Sequence, residues 1–220
     1  NIYSNAVSGC LIDEINAKER KLNTVVRNFE SDTKLAEFAN VVNNSSENSE
    51  RIMFFTDPHT VYGDDWEKRT STHIDYIKRL FDSSACDIII DGGDWLTDGQ
   101  SAQDASHALG FIKSQWTGYP HKLVIGNHDT NYQGVERLSQ SGINNLAFGG
   151  KSYYSFETDN TLFIVIDTQT DNASLNNEDY KKKQMTFVRD VMLANTKPHI
   201  ILISHILYAN ETDKSSSTVF

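Results

Sequence analysis

Four short segments gather the side chains of this chain that could do chemistry: Asp57-Pro58-His59, Gly93-Asp94, Gly126-Asn127-His128-Asp129 and Ser204-His205. Carboxylates, an amide oxygen and imidazoles are donors that hold divalent cations, and an imidazole beside them can move a proton. Each segment closes a short apolar run, at 51–56, 87–90, 122–125 and 199–203. Their β-branched and aromatic content predicts strands buried on both faces. Strand ends are where open α/β sheets present ligand-binding groups, so the spacing predicts one shared site.

The segments differ in what they could contribute. Asp57 and His59 stand two apart, so in extended backbone both point to one side and can reach one cation. Asp57-Pro58 equally suits an ordinary turn that leaves His59 exposed. Asp94 follows Gly92-Gly93, which lets the backbone turn sharply, and its two oxygens could bridge two cations. Asp91 and Asp98 are alternatives to it, or caps of turns and helices. Asn127, His128 and Asp129 supply a neutral oxygen ligand, a proton donor and a carboxylate in immediate succession. His205 at the end of an apolar run is either a ligand or a core histidine. His73, His107, His121 and His199 read as structural, the first two in helices, the others entering strands. Tyr62, Trp66, Trp95 and Tyr132 either wall a pocket or pack in the core.

The elements that would position these groups follow from periodicity. Helical spacing of Leu11, Ile15, Leu22, Val25, Val26, Phe29, Leu35, Phe38, Val41 and Val42 predicts one or two helices, ended by the polar stretch 43–49. From 51 onward, strands alternate with helices predicted near 65–82 and 101–116, then a helix or loop at 133–141. That alternation predicts a parallel sheet with right-handed crossovers. Runs at 152–157 and 161–167 flank the turn Thr158-Asp159-Asn160 and predict a hairpin. A helix at 177–194, with Met185, Val188, Val191 and Met192 on one side, leads into the last strand. The serine-rich segment 210–218 predicts fraying.

Composition bounds what these parts could do. The 220 residues, 38% hydrophobic, allow a real core, as one large domain or one domain with an appendage. The division predicted is a helical lead-in, 1–48, in which Ser4-Asn5-Ala6 resembles an expression-tag scar, and a domain at 49–220. A net charge of −10 and a pI near 5.1 argue against binding along an extended nucleic acid. Lys181-Lys182-Lys183 is the only basic run and suits a solvated helix start. Cys10 and Cys86 are too few for a disulfide framework. No segment approaches the roughly 20 apolar residues of a membrane span, and the N-terminus lacks the basic region plus apolar core of a secretion signal. The expected location is cytoplasmic with no membrane partner, although a removed export signal would leave no trace.

The ordered set Asp57-x-His59, Gly93-Asp94, Gly126-Asn127-His128-Asp129 and Ser204-His205 resembles the calcineurin-like metallophosphoesterase superfamily. The run Ile90-Asp91-Gly92-Gly93-Asp94-Trp95-Leu96-Thr97-Asp98 extends the likeness beyond the Gly-Asp pair, and Gln184 resembles a recurring feature of the helix before the last strand. The likeness covers about residues 51–208. It implies an α/β fold, the four-layer αββα sandwich of metallo-dependent phosphatases. It implies two divalent metal ions, manganese, iron or zinc, with Asp57, His59 and Asp94 on the first and Asp94, Asn127 and His205 on the second. It implies hydrolysis of a small phosphomonoester or phosphodiester by a bridging hydroxide, with His128 as proton donor and Asp129 orienting it.

The likeness has one departure. Family members usually continue to a Gly-His-x-His segment, and none precedes Phe220; the proline often found two places after the strand-end histidine is also missing. The expectation is therefore a truncated or incompletely represented chain, lacking one ligand per metal and the C-terminal strands of its second sheet. A binding or scaffold protein that keeps the fold with weakened turnover is the competing reading, which the intact Asn127-His128-Asp129 segment opposes. A nuclease would need a basic groove that the charge balance does not supply.

Overall fold

A computed structural model of the chain describes residues 49–60, 63–84, 86–96, 101–129, 140–168 and 178–206, together with 37, 40 and 44. Positions 37 and 40 are helical, and the rest of the expected helices of 11–42, the possible tag scar, most of 133–141, the serine-rich segment, Cys10, Tyr62, Asp98 and Tyr132 lie outside the described residues. The chain forms two compact units, Asn1–Ser49 with Lys78–Ala85, and Glu50–Ile77 with Cys86–Phe220. In the first, the described residues include the last turns of helix α1 (Trp66–Ser83), continued where the Ser84 amide donates to the Leu80 carbonyl at 3.0 Å.

The second unit carries two three-stranded sheets. In one, β1 (Ile52–Phe55), β2 (Ile88–Asp91) and β3 (His121–Leu123) run parallel in that order. In the other, β4 (Tyr154–Glu157) and β5 (Thr161–Val165) form the expected antiparallel hairpin, and β6 (His199–Ile203) runs parallel to β5. Helix α2 (Ala102–Gln115) starts at Ser101, whose hydroxyl accepts the Asp104 amide at 3.1 Å, the usual remedy for an orphan N-terminal donor. Helices α3 (Gln140–Phe148) and α4 (Glu178–Leu193) follow, and Asn127–Asp129 form a single 3-10 turn.

Period-two alternation in the strands makes the layers. Ile88 and Ile90 of β2 meet Phe163 and Val165 of β5, with Val124 and Ile203, in one core between the sheets. Leu162 and Ile164 point the other way, against Phe187, Val188 and Val191 of α4. On the outer side of the parallel sheet, Trp116, just beyond α2, stacks on Phe55 and His121. The result is helices, sheet, sheet, helices, as the resemblance implied.

Two expectations change. The runs at 51–56 and 199–203 are not buried on both faces: Phe54 of β1 is 57% exposed and Leu202 of β6 56%. Both strands are outermost in their sheets among the described residues, and a strand with one neighbour gathers less cover whatever its composition. On α4, Met185 and Met192 are exposed, and the inward side is instead Gln184, Phe187, Val188 and Val191. Trp66 and Trp95 are core residues: Trp66 packs on Phe111 at 5.1 Å, and Trp95 lies 5.8 Å from Phe148.

His121 enters a strand as expected, but among the described residues no backbone carbonyl or other hydrogen-bond partner satisfies its Nε2, which is buried 4.0 Å from Asp91. Burial, helped by the Lys122 cation, holds the imidazole down at about 3, and burial raises Asp91 well above the carboxylate range. Both shifts favour the uncharged form of the group. In the unfolded chain His121 recovers its ordinary value of 6.5 and binds a proton that the fold excludes. Its contribution to stability is intact above pH 6.5 and declines as the pH falls toward 3, by up to about 1.4 kcal/mol per pH unit. Urea unfolding of His121→Phe against wild type should show that difference growing between about pH 6 and pH 4. A pH-independent difference would contradict it.

Candidate metal centre

Strand register brings the chemical segments together. Phe55 pairs with Asp91 and Asp91 with Leu123, so β1, β2 and β3 end level and release Asp57, Asp94 and Asn127 at one edge. The first two ends stay zipped beyond the strands: the Asp57 amide donates to Gly93 O at 2.9 Å, and the His59 amide to Asp94 O at 3.0 Å. Keeping that ladder while turning the side chains inward forces positive φ on Asp57 (57°), His59 (41°) and Asp94 (58°). Each costs on the order of 1–2 kcal/mol in an L-residue, the kind of local strain that collects at functional sites.

Asp94 is the floor of the cluster, its side chain 3% exposed. Its Oδ1 accepts the His128 amide at 2.8 Å. Its Oδ2 is ringed by three imidazole Nε2 atoms: His205 at 3.2 Å, His59 at 3.8 Å and His128 at 3.9 Å. Burial alone would raise the Asp94 carboxyl, but the His205 ring, the His128 amide and the nearby imidazoles hold it below its ordinary value.

His205 arrives from the second sheet. Its Nδ1 lies 2.9 Å from the Gly92 carbonyl and its Nε2 3.1 Å from Asn127 Oδ1. A carbonyl can only accept, so Nδ1 donates to Gly92; Nε2, which faces the acceptors Asn127 Oδ1 and Asp94 Oδ2, donates as well and is the atom a cation would take in place of that proton. Burial would lower this imidazole, yet Asp94, the Gly92 carbonyl and Asp57 together push it up to about 9. A cation at Nε2 competes with a proton there. Asp57 sits at the mouth, 48% exposed, its Oδ2 accepting from Thr56 Oγ1 at 2.6 Å and its Oδ1 3.6 Å from His59.

The donors suit a divalent cation. Ligand atoms of Asp57, Asp94 and His205 all lie within 4.8 Å of one another. Bonds of about 2.0–2.2 Å to a shared ion place donors at most about 4.4 Å apart, so closure by a few tenths of an ångström would complete the set. This trio crosses the division implied by the resemblance, which placed Asp57 and His205 on different ions. His59 and Asn127 border the trio. His128 stands beside it, ring edge-on to His59 at 4.9 Å and 83°.

Asp129 is fully buried, and its oxygens accept the backbone amides of Gly126 at 2.8 Å, Asp94 at 2.9 Å and Leu96 at 3.0 Å. Burial pushes the carboxyl up to about 7, against those three amides. These bonds clamp the ends of β2 and β3 to each other, a task the sequence expectation for Asp129 did not include. The contributions of Thr56 and of the Gly92 carbonyl were likewise missed, because a hydroxyl and a backbone oxygen carry no signature of their own. Gln184 is buried and grips Asp167 at both its amide and its carbonyl, each at 2.8 Å. The Asp167 side chain in turn bonds Ser152 and Tyr180.

Facing sheets flanked by helices, with acids and imidazoles gathered at level strand ends, define a metallophosphoesterase-type domain. Residues 50–216 match the family model of the calcineurin-like phosphoesterases, and the chain belongs to that family. No curated protein matches the chain. The family is one of hydrolases that bind divalent metals, and the Asp57, Asp94 and His205 cluster is a candidate for such binding. Among the described residues, no helix is long and apolar enough to cross a membrane.

Proposed function

We propose that this chain's domain hydrolyses a small phosphomonoester or phosphodiester with divalent cations held by Asp57, His59, Asp94, Asn127 and His205. The observation that carries the reading is the convergence of Asp94 with three imidazoles and Asp57 at the ends of strands from two sheets. Asp94, with its two oxygens turned to different neighbours, would serve both cations. When bound, such ions neutralise phosphoryl charge and activate water at neutral pH.

The chain's own residues do the rest. Asp57 and His59 at the exposed mouth meet the substrate side of the cluster, and Asn127 adds a neutral oxygen that leaves the site's charge unchanged. His128, 24% exposed beside Asp94, donates a proton to the departing oxygen. Asp129 acts as a positioning residue, because its amide bonds fix the backbone from which Asp94 and Asn127 project. The partner is a small phosphoester, since the acidic chain offers no path for an extended polyanion.

Release of nitrophenol from a nitrophenyl phosphate and from its diester, with manganese and with chelator, tests the reading. Asn127→Ala and His128→Ala should each lower kcat/KM by about a hundredfold or more at unchanged stability. Turnover that persists in both variants would remove these residues from the mechanism. Correct folding and cation binding without turnover on any phosphoester would favour a binding or scaffold role.

A further inference from the structure

Away from the metal cluster, the flank of β3 borders a cavity of about 350 Å3, within the range of small-molecule sites. Its walls come from the end of α2, the turn into β3, β3 itself, the end of α3, and β4. Trp116 and His121 form a stacked pair, 4.4 Å between centroids and 14° between planes. Phe148 and Tyr154 add a second pair of rings at 6.0 Å, and the Tyr154 hydroxyl is engaged, donating to the Leu123 carbonyl at 2.6 Å. The Trp116–His121 pair is nearly closed to solvent, and Phe148 and Tyr154 are the partly exposed rings of the two pairs.

Its charge runs against that of the chain. Among the described residues, Lys113 and Lys122 line the cavity and no carboxylate does, in a chain with a net charge of −10. Among the described residues neither lysine makes an ion pair: Lys113 Nζ bonds the Leu146 carbonyl, and Lys122 Nζ lies 5.1 Å from the centre of the Phe156 ring. An ammonium held by a carbonyl or a ring keeps its full charge for an incoming anion. His121 is neutral and adds a flat wall rather than a third charge.

The geometry points to a second ligand site here, for a planar aromatic ring that carries an anionic group. The ring lies against Phe148 and Tyr154, beside the buried Trp116–His121 pair, and the anion meets Lys113 and Lys122. Aromatic carboxylates and nucleoside monophosphates share this chemistry. The lining residues of β3 precede Gly126, so the site is separate from the metal cluster and does not depend on how that cluster works.

Calorimetric titration of the full chain, without added divalent cation, tests this with four probes: 2-naphthoate, adenosine monophosphate, neutral 2-naphthalenemethanol and inorganic phosphate. At least one aromatic anion should bind saturably, with the neutral ring and the bare phosphate at least about tenfold weaker. Naphthoate binding alone identifies the carboxylate class, and nucleotide binding alone the phosphate class. Lys122→Met and Trp116→Leu should each weaken binding about tenfold, while Asn127→Ala leaves it unchanged. If Trp116→Leu does not fold, Lys122→Met decides. No saturable binding of either aromatic anion, binding indifferent to Lys122→Met, or binding lost in Asn127→Ala would overturn the proposal.

Discussion

Asp94→Ala is expected to abolish both cation uptake and phosphoester hydrolysis, with kcat/KM falling by about a thousandfold or more. Alanine removes the one carboxylate that faces three imidazoles and also orphans the His128 amide. Asp94→Asn separates these effects, since its amide oxygen can still accept from His128 while the charge is gone. That variant should retain the wild-type unfolding midpoint within a few degrees and still be inactive. Substantial activity in Asp94→Asn would mean that the charge of Asp94 is not what gathers the cations.

Gly126→Ala should be nearly as damaging, by a different route. A Cβ there would fall 2.2 Å from the Asp94 backbone nitrogen and 2.1 Å from Asp94 Oδ1, closer than real atoms approach. Gly93 is similarly confined, its Cβ position 2.9 Å from both the Gly126 nitrogen and His205 Nδ1. Three of the four segments that carry the site touch through these two glycines, so a methyl group at 126 must push the Asp94 carboxylate out of place. Overpacking of this kind costs about 1–3 kcal/mol, and a displacement near 1 Å costs about a hundredfold in rate. Gly110 is the control: it lies within α2 with nothing within 4 Å of its Cβ position. Gly110→Ala should leave activity intact and stability equal or higher by up to about 1 kcal/mol. Equal effects of the two substitutions on denaturation and on kcat/KM would contradict the steric account.

What the sequence made legible was whatever is local. The alternation of Leu162, Phe163, Ile164 and Val165 between two faces follows from strand geometry alone. The polar residues just past the apolar runs 51–56, 87–90, 122–125 and 199–203 announce the strand ends from which the site is built. Relations between distant segments were not legible. Phe54 and Leu202 are as apolar as any core residue, and only the position of their strands at sheet margins leaves them exposed. His121 resembled a satisfied core histidine until its stack on Trp116 and its approach to Asp91 were seen. Asp129 was expected to orient its neighbour His128, but the amides it binds include two from a strand end more than thirty residues earlier in the chain. No local pattern encodes that clamp. Positive φ at Asp57, His59 and Asp94 was equally hidden, because it comes from the ladder between β1 and β2 and not from residue type.

The central claim is that Asp57, Asp94 and His205 converge to hold a divalent cation. Anomalous diffraction from crystals soaked in manganese, recorded on both sides of the metal edge, tests it most directly. The account predicts a peak within about 2.0–2.4 Å of an Asp94 oxygen and of His205 Nε2, absent in Asp94→Ala crystals soaked in the same way. A well-ordered site with no anomalous peak, or a peak that persists without Asp94, would contradict it.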